Sequence, residues 1–233
     1  SMTGGLILGL DTTGRGGSAV LATEDAVLET RAWRAEPSHT PHLHSATTDL
    51  LAVAGARLAA IAVAAGPGGF SAVRGGMAIA KGICLALDIT LVAIPGLEAV
   101  ALSAAALIEG RVLALIDAGA RGCFAREFTL DGSNAIPTTE PGLASPDAIA
   151  RAIISGAHPV GDLPPARLEQ IAAAVPAHHQ APPITTRQPM AVAVARLGWS
   201  KLASSTGRDA LGAVPIYLRE PDATLPKKGW GRT

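Results

Sequence analysis

The sequence predicts an α/β protein of two lobes, the second smaller than the first. Three observations carry this. As far as Ile108, apolar runs of strand and helix length follow one another as βββαβαβα, which gives a mixed sheet with helix cover. A strand–Asp–glycine turn–strand pattern then occurs a second time, as two related lobes would produce. Between them, residues 60–87 read as a buried strand, a glycine-proline loop and a long apolar helix. The expected divisions are an N-terminal lobe over residues 1–100, a reduced C-terminal lobe with a returning helix over 101–220, and a flexible tail over 221–233.

The first strand, LILGLD at residues 6–11, ends in Asp11-Thr12-Thr13-Gly14, with Gly16-Gly17 close behind. Residues 17–22 and 27–33 are the next strands, joined by hairpin turns into an antiparallel meander. Thr40 is placed to cap a helix with Pro41 in its first turn; Leu43, Ala46, Leu50, Leu51 and Ala54 form its apolar face and Gly55 stops it. Residues 60–65 make a strand closed by Gly66-Pro67-Gly68-Gly69, and Ser71 is a candidate cap for the helix that follows. A strand at 91–94 and a helix over 97–108 complete the lobe.

In the second lobe a strand over 111–117 again ends in Asp, at Asp117, before Ala118-Gly119-Ala120-Arg121-Gly122. Residues 123–130 pair with it, and Asp131-Gly132 turns the chain. Helices follow near 145–154, 165–175 and 190–205, with a short strand at 159–160, a Pro/Ala/His loop over 176–183 and an extended segment over 212–219.

The helix after Ser71 is unusual. Gly75, Gly76 and Gly82 lie inside it, each costing about 1 kcal/mol relative to alanine, so close approach by another backbone is expected to offset them. It is apolar nearly all round, with only Arg74 and Lys81 charged before Asp88. A helix without a polar face is buried on both sides, one against its own sheet and the other against a partner.

Composition narrows the function. Of 233 residues 48% are hydrophobic and only 16% charged, which favours an obligate interface over a fully solvated surface. The formal net charge is zero and aromatics are 3%, so neither a basic stripe nor a base-stacking platform is available for gripping nucleic acid unaided. Cys84 and Cys123 lie in apolar contexts and read as reduced thiols, consistent with a cytoplasmic protein. No apolar run of the ~18 residues that span a membrane is apparent, and no secretory signal.

Candidate chemistry is sparse. Asp11 and Asp117 end equivalent strands; they could orient metal-bound water in a nucleotide cleft, or simply close side-chain-to-backbone turns. Gly66-Pro67-Gly68-Gly69 before a helix N-terminus could hold an anion or be a tight turn, and no P-loop pattern accompanies it. His39, His42 and His44 lack the H-x-x-x-H spacing of a metal site and read as exposed helix-start histidines. No nucleophile–His–acid set is legible.

The opening LGLDTT, Gly66-Pro67-Gly68-Gly69-Phe70-Ser71-x-x-Arg74, Ala80-Lys81-Gly82, Leu91-Val92 with Leu97-Glu98-Ala99, and Pro215-Ile216-Tyr217-Leu218-Arg219 together resemble the TsaB (YeaZ) family. These are bacterial accessory subunits for making threonylcarbamoyladenosine beside the tRNA anticodon. The resemblance runs from Leu6 to about Phe128 and resumes near the C-terminus. It implies the actin/Hsp70/sugar-kinase-like two-lobed fold with a shrunken second lobe, and a non-catalytic scaffold that activates the catalytic paralogue TsaD. TsaE joins the complex, tRNA reaches it through the complex, and a TsaC-type enzyme supplies threonylcarbamoyl-adenylate.

On this resemblance the partner interface falls on the first two helices, with Leu43, Ala46, Leu50, Val73, Arg74, Gly76, Met77, Ala80 and Cys84 as its residues. The same patch would allow a homodimer when the chain is alone. Asp11, Thr12 and Asp117 are residual nucleotide-site positions. No cofactor is expected on the chain by itself, with ATP or ADP and Mg in the complex. Two departures stand out: Arg121 lies further from Asp117 than in the family's Asp-Ala-Arg, and Gly161-Asp162 is all that remains of a nucleotide-gripping glycine pair. The alternative reading is an Mg-ATP-dependent ATPase or kinase of the same fold, and behind it a glycoprotease.

Overall fold

The computed structural model describes residues 5–34, 39–132, 134–179, 189–204 and 212–218. Strands β1 (Leu6–Asp11), β2 (Gly16–Ala22) and β3 (Val27–Arg34) form the antiparallel meander. Helix α1 (Thr40–Ala54) leads to β4 (Leu58–Ala64), and α2 (Phe70–Leu87) leads to β5 (Thr90–Ile94). β4 joins β1 in parallel and β5 joins β4, so the first sheet has the order β3-β2-β1-β4-β5.

Side chains on a strand alternate between faces, and both faces here are apolar. Leu6, Leu8, Leu10, Ile61 and Val63 meet α1 and α2 through Leu43, Leu50, Met77, Ala80 and Cys84. Ile7, Val20, Ala60 and Ala62 meet α3 (Gly96–Ser103) and α6 (Met190–Ser204). α6 comes close because β1 carries Gly9 on that side, where a Cβ would lie 2.5 Å from the Ala191 carbonyl.

The second sheet is built from β6 (Gly110–Asp117), β7 (Cys123–Asp131), β8 (Asn134–Pro137) and β10 (His158–Val160) in the order β10-β6-β7-β8, with β9 (Gly142–Ala144) on β7. α4 (Pro146–Ile154) and α5 (Pro165–Ala174) cover one face through Ile149, Ile153 and Ile171. α3 packs on the other face through Leu97, Val100 and Ala101, so it lies between the two sheets and is buried nearly all round.

Several expectations needed correction. The helix expected over 97–108 stops at Ser103, because the chain tightens into i→i+3 bonds from Ala104 N–H to Ala101 O and from Leu107 N–H to Ala104 O. The cap of α2 is Gly69 rather than Ser71, and no side chain caps it. Strands β8 and β9 had no clear sequence signal; their partner β7 supplies the pairing. α2 has 18 residues and a mean hydropathy of 1.4, so one helix does have the length and apolarity to cross a membrane. It lies on β4 instead, with Val73, Met77, Ala80 and Cys84 buried. The tail over 221–233, Arg219 and residues 180–183 of the Pro/Ala/His loop lie outside the described residues.

Candidate functional site

β1 delivers Asp11 to a turn. Its Oδ1 accepts from the backbone N–H of Thr13 at 3.0 Å and from the Thr13 hydroxyl at 2.6 Å. The side chain is buried, which pushes the carboxyl above the usual range, while the two Thr13 bonds and nearby His39 pull the other way. Thr12 points elsewhere. Its hydroxyl donates to the Ala72 carbonyl at 2.8 Å, and Oγ1 lies 2.7 Å from where a Cβ on Gly76 would be. Thr12 therefore fastens β1 to α2 and lines neither of the cavities described below.

Asp117, at the end of β6, accepts from the Gly119 N–H at 3.2 Å and pairs with Arg167 Nε at 3.2 Å. Arg167, in the first turn of α5, also donates to the Gly119 carbonyl. The chain thus supplies its own cation to this carboxylate. Asp11 and Asp117 line two different cavities. Asp11 lines a cleft of about 250 Å³ with Thr13, Trp33, Leu115, Asp162 and Met190. Asp117 lines a separate one of about 400 Å³ with Gly68, Gly69, Gly119 and Arg121.

This donor set fits a magnesium nucleotide poorly. The first cleft presents two carboxylates and, among the described residues, no cation to meet a phosphate; in the second, Arg167 already engages the carboxylate a metal would need. Among the described residues no three His, Cys, Asp or Glu side chains cluster as metal ligands do.

His39 is not the exposed residue expected. It is buried, its Nδ1 accepts from Trp33 Nε1–H at 3.1 Å, and its Nε2 lies 3.2 Å from the Gly14 carbonyl. That pairing fixes a neutral ring with the proton on Nε2. Burial lowers its tendency to protonate, against smaller opposing effects of the Gly14 carbonyl and Asp11. His42 and His44 are exposed, and the His42 ring stacks on Trp33 with centroids 6.4 Å apart.

The layer formed by α1 and α2 is arranged differently from the expected interface. Leu43, Ala46, Leu50, Val73, Gly76, Met77, Ala80 and Cys84 are all buried beneath their own helices; of the nine, only Arg74 is exposed. These residues face the sheet, where apolar area is removed from water. The outward stripe of α2 is Ser71, Arg74, Ala78, Gly82, Leu85 and Ala86, and a Cβ on Gly75 or Gly82 would meet nothing within 4 Å. Val53 on α1 and Leu85 and Leu87 on α2 are 46%, 57% and 51% exposed. α6 lies across the opposite face of the sheet and does not cover this layer.

One further contact escaped sequence reasoning. Ile216 N–H donates to the Ala65 carbonyl at 2.6 Å, which lays residues 212–218 along the glycine-proline loop. There Tyr217 Oη accepts from Arg74 Nε at 2.8 Å, and the Arg74 guanidinium sits 3.7 Å over the Phe70 ring. Two motifs 143 residues apart thus meet at the start of α2. Both were visible in the sequence, but nothing in either announced their contact.

Comparison with known proteins agrees with this architecture. The family model described as TsaD, tRNA N6-adenosine threonylcarbamoyltransferase, matches residues 33–202. YeaZ from Pseudomonas aeruginosa superposes with a TM-score of 0.71 at 23% identity, over 92% of this chain and 100% of that one. An uncharacterized protein described as similar to peptidase YEAZ from Pseudomonas aeruginosa gives 0.69 at 22%, with the same coverage. A ROK hexokinase from Thermus thermophilus aligns more loosely, at 0.46 and 13% identity over 86% of this chain and 100% of that one. Among curated proteins none matches. With the family model spanning most of its length and YeaZ sharing its fold, the chain belongs to the TsaD family of tRNA N6-adenosine threonylcarbamoyltransferase proteins.

Proposed function

We propose that this chain is a TsaB-type, non-catalytic scaffold of the complex that forms threonylcarbamoyladenosine on tRNA, and that it holds the catalytic paralogue TsaD on the outer faces of α1 and α2. The observation that carries the reading is the outward stripe of α2. Gly75, Ala78 and Gly82 hold open space above a helix that no other described element covers. Glycines on an exposed helix face weaken the helix by about 1 kcal/mol each and fill nothing internally, which is understandable if a second helix approaches closely there. Arg167 on Asp117 speaks against an ATPase or kinase. Any nucleotide in the assembly then depends on groups from TsaD and TsaE.

The test is calorimetric titration of the chain with TsaD from the same organism, comparing the natural protein with Ala78→Arg and Gly82→Arg. Neither position is in the core, so both variants should remain folded. An unpaired charge trapped in the contact costs about 3 kcal/mol or more, a loss of roughly 100-fold in affinity. Undiminished binding by both variants moves the interface elsewhere. Absence of any complex with TsaD overturns the scaffold reading itself.

A further inference from the structure

His39 joins three elements that are distant in sequence. Its Nδ1 accepts from the indole of Trp33 on β3, its Nε2–H donates to Gly14 in the turn after β1, and its backbone carbonyl receives the Leu43 N–H that begins α1. Trp33 and Gly14 both line the cleft that contains Asp11. His39 therefore links the lining of that cleft, through its ring, to the first turn of α1, through its backbone carbonyl.

We propose that His39 is a proton-sensitive latch: neutral, it holds Trp33, the Gly14 turn and the start of α1 as one unit, and protonated, it releases Trp33. The chemistry is that of one atom. Gly14 can accept only from an N–H, so Nε2 carries the proton in the neutral ring and Nδ1 is free to accept. A second proton must go to Nδ1, where it faces the Trp33 N–H at 3.1 Å as donor against donor. The bond to Gly14 survives and gains charge assistance, while the bond to Trp33 is lost.

Each element around the ring contributes to the balance. From β1, Asp11 favours the imidazolium; from α1, His42 opposes it when charged; β3 contributes the indole and the Gly14 turn a carbonyl. Burial of the ring is the largest influence and holds it neutral, so release occurs below 6.5, the ordinary histidine value. Trp33, freed from His39, also loses the partner that fixes its stacking on His42.

The experiment is nuclear magnetic resonance on the full, isotopically labelled chain, following the Trp33 indole N–H and the His39 ring between about pH 8 and pH 5. The expected result is that both titrate with a common midpoint below 6.5 and that amides in the first turn of α1 move with them, while circular dichroism stays constant. His39→Asn, whose side-chain oxygen can still accept from Trp33, should leave the indole resonance flat; His42→Asn should leave its titration in place. A Trp33 signal that stays still while His39 protonates overturns the latch, and so does one that titrates unchanged in His39→Asn. Neither readout involves a partner, so the latch can fail while the scaffold proposal stands.

Discussion

Within α2 the same substitution should have opposite signs at neighbouring glycines. At Gly76 an added Cβ would sit 2.7 Å from Thr12 Oγ1, a buried atom already donating to Ala72 O at 2.8 Å. Alanine recovers about 1 kcal/mol of helix propensity. Against that, overpacking costs about 1–3 kcal/mol, and displacing the hydroxyl forfeits a hydrogen bond worth about 1 kcal/mol. Gly76→Ala should therefore destabilise by about 1–3 kcal/mol net. For a chain of this size that lowers the melting temperature by roughly 2–4 °C per kcal/mol. Gly75→Ala and Gly82→Ala meet nothing within 4 Å, so each should stabilise by up to about 1 kcal/mol. Thermal unfolding by circular dichroism separates the three. Thr12→Ala removes the obstructing hydroxyl, so combined with Gly76→Ala it should cost less than the two single changes added together. If Gly76→Ala behaves like Gly75→Ala, the close fit of Thr12 into α2 is not what holds this helix in place.

Two other outcomes follow from buried titratable groups. Burial raises the folded-state affinity of Asp11 for its proton above that of an unfolded aspartate, so between 3.8 and the raised value the native state binds more protons than the unfolded one. That contribution to stability is lost as pH rises through this window. Asp11→Asn keeps an acceptor for Thr13 without the charge, and should be more stable relative to the natural protein at pH 7 than at pH 4, as denaturant titrations at the two values will show. Burial also pushes the thiols of Cys84 and Cys123 up to about 11 and about 12, so iodoacetamide at mildly alkaline pH should label neither until the chain is unfolded. Rapid native labelling at either position, read by mass spectrometry, would refute that account of their surroundings.

The order of elements in the first lobe was legible because each strand is a short apolar run closed by turn chemistry. LILGLD before Asp11-Thr12-Thr13-Gly14 and the alanine-rich β4 before Gly66-Pro67 needed no tertiary information. The second lobe was less so. β8 and β9 are four and three residues long with no fully buried residue, so neither carries a buried apolar period; they exist because β7 offers its edge. The polar contacts were illegible for a related reason. His39 to Gly14, Thr12 to Ala72 and Arg74 to Tyr217 are 25, 60 and 143 positions apart, and a single hydrogen bond imposes no pattern on the residues between.

The facing of α2 was legible in part, and the way it was misread says what the helix is for. Val73, Met77, Ala80 and Cys84 recur at intervals of four, three and four, and they form the buried stripe of the helix. Expecting that stripe to meet a partner assumes that the chain reserves its best apolar surface for another molecule. The sheet has first claim, because β4 and β1 present apolar side chains to it along their whole length. What remains for the outside beyond Arg74 is then mostly small: Ser71, Gly75, Ala78, Gly82 and Ala86, with Leu85 and Leu87 at the end. Small residues bury little area, so they contribute to association only if they let two backbones come close enough for the flanking side chains to interdigitate. A partner that docks there must therefore bring a helix, and enlarging Ala78 should weaken the contact more than trimming Leu87.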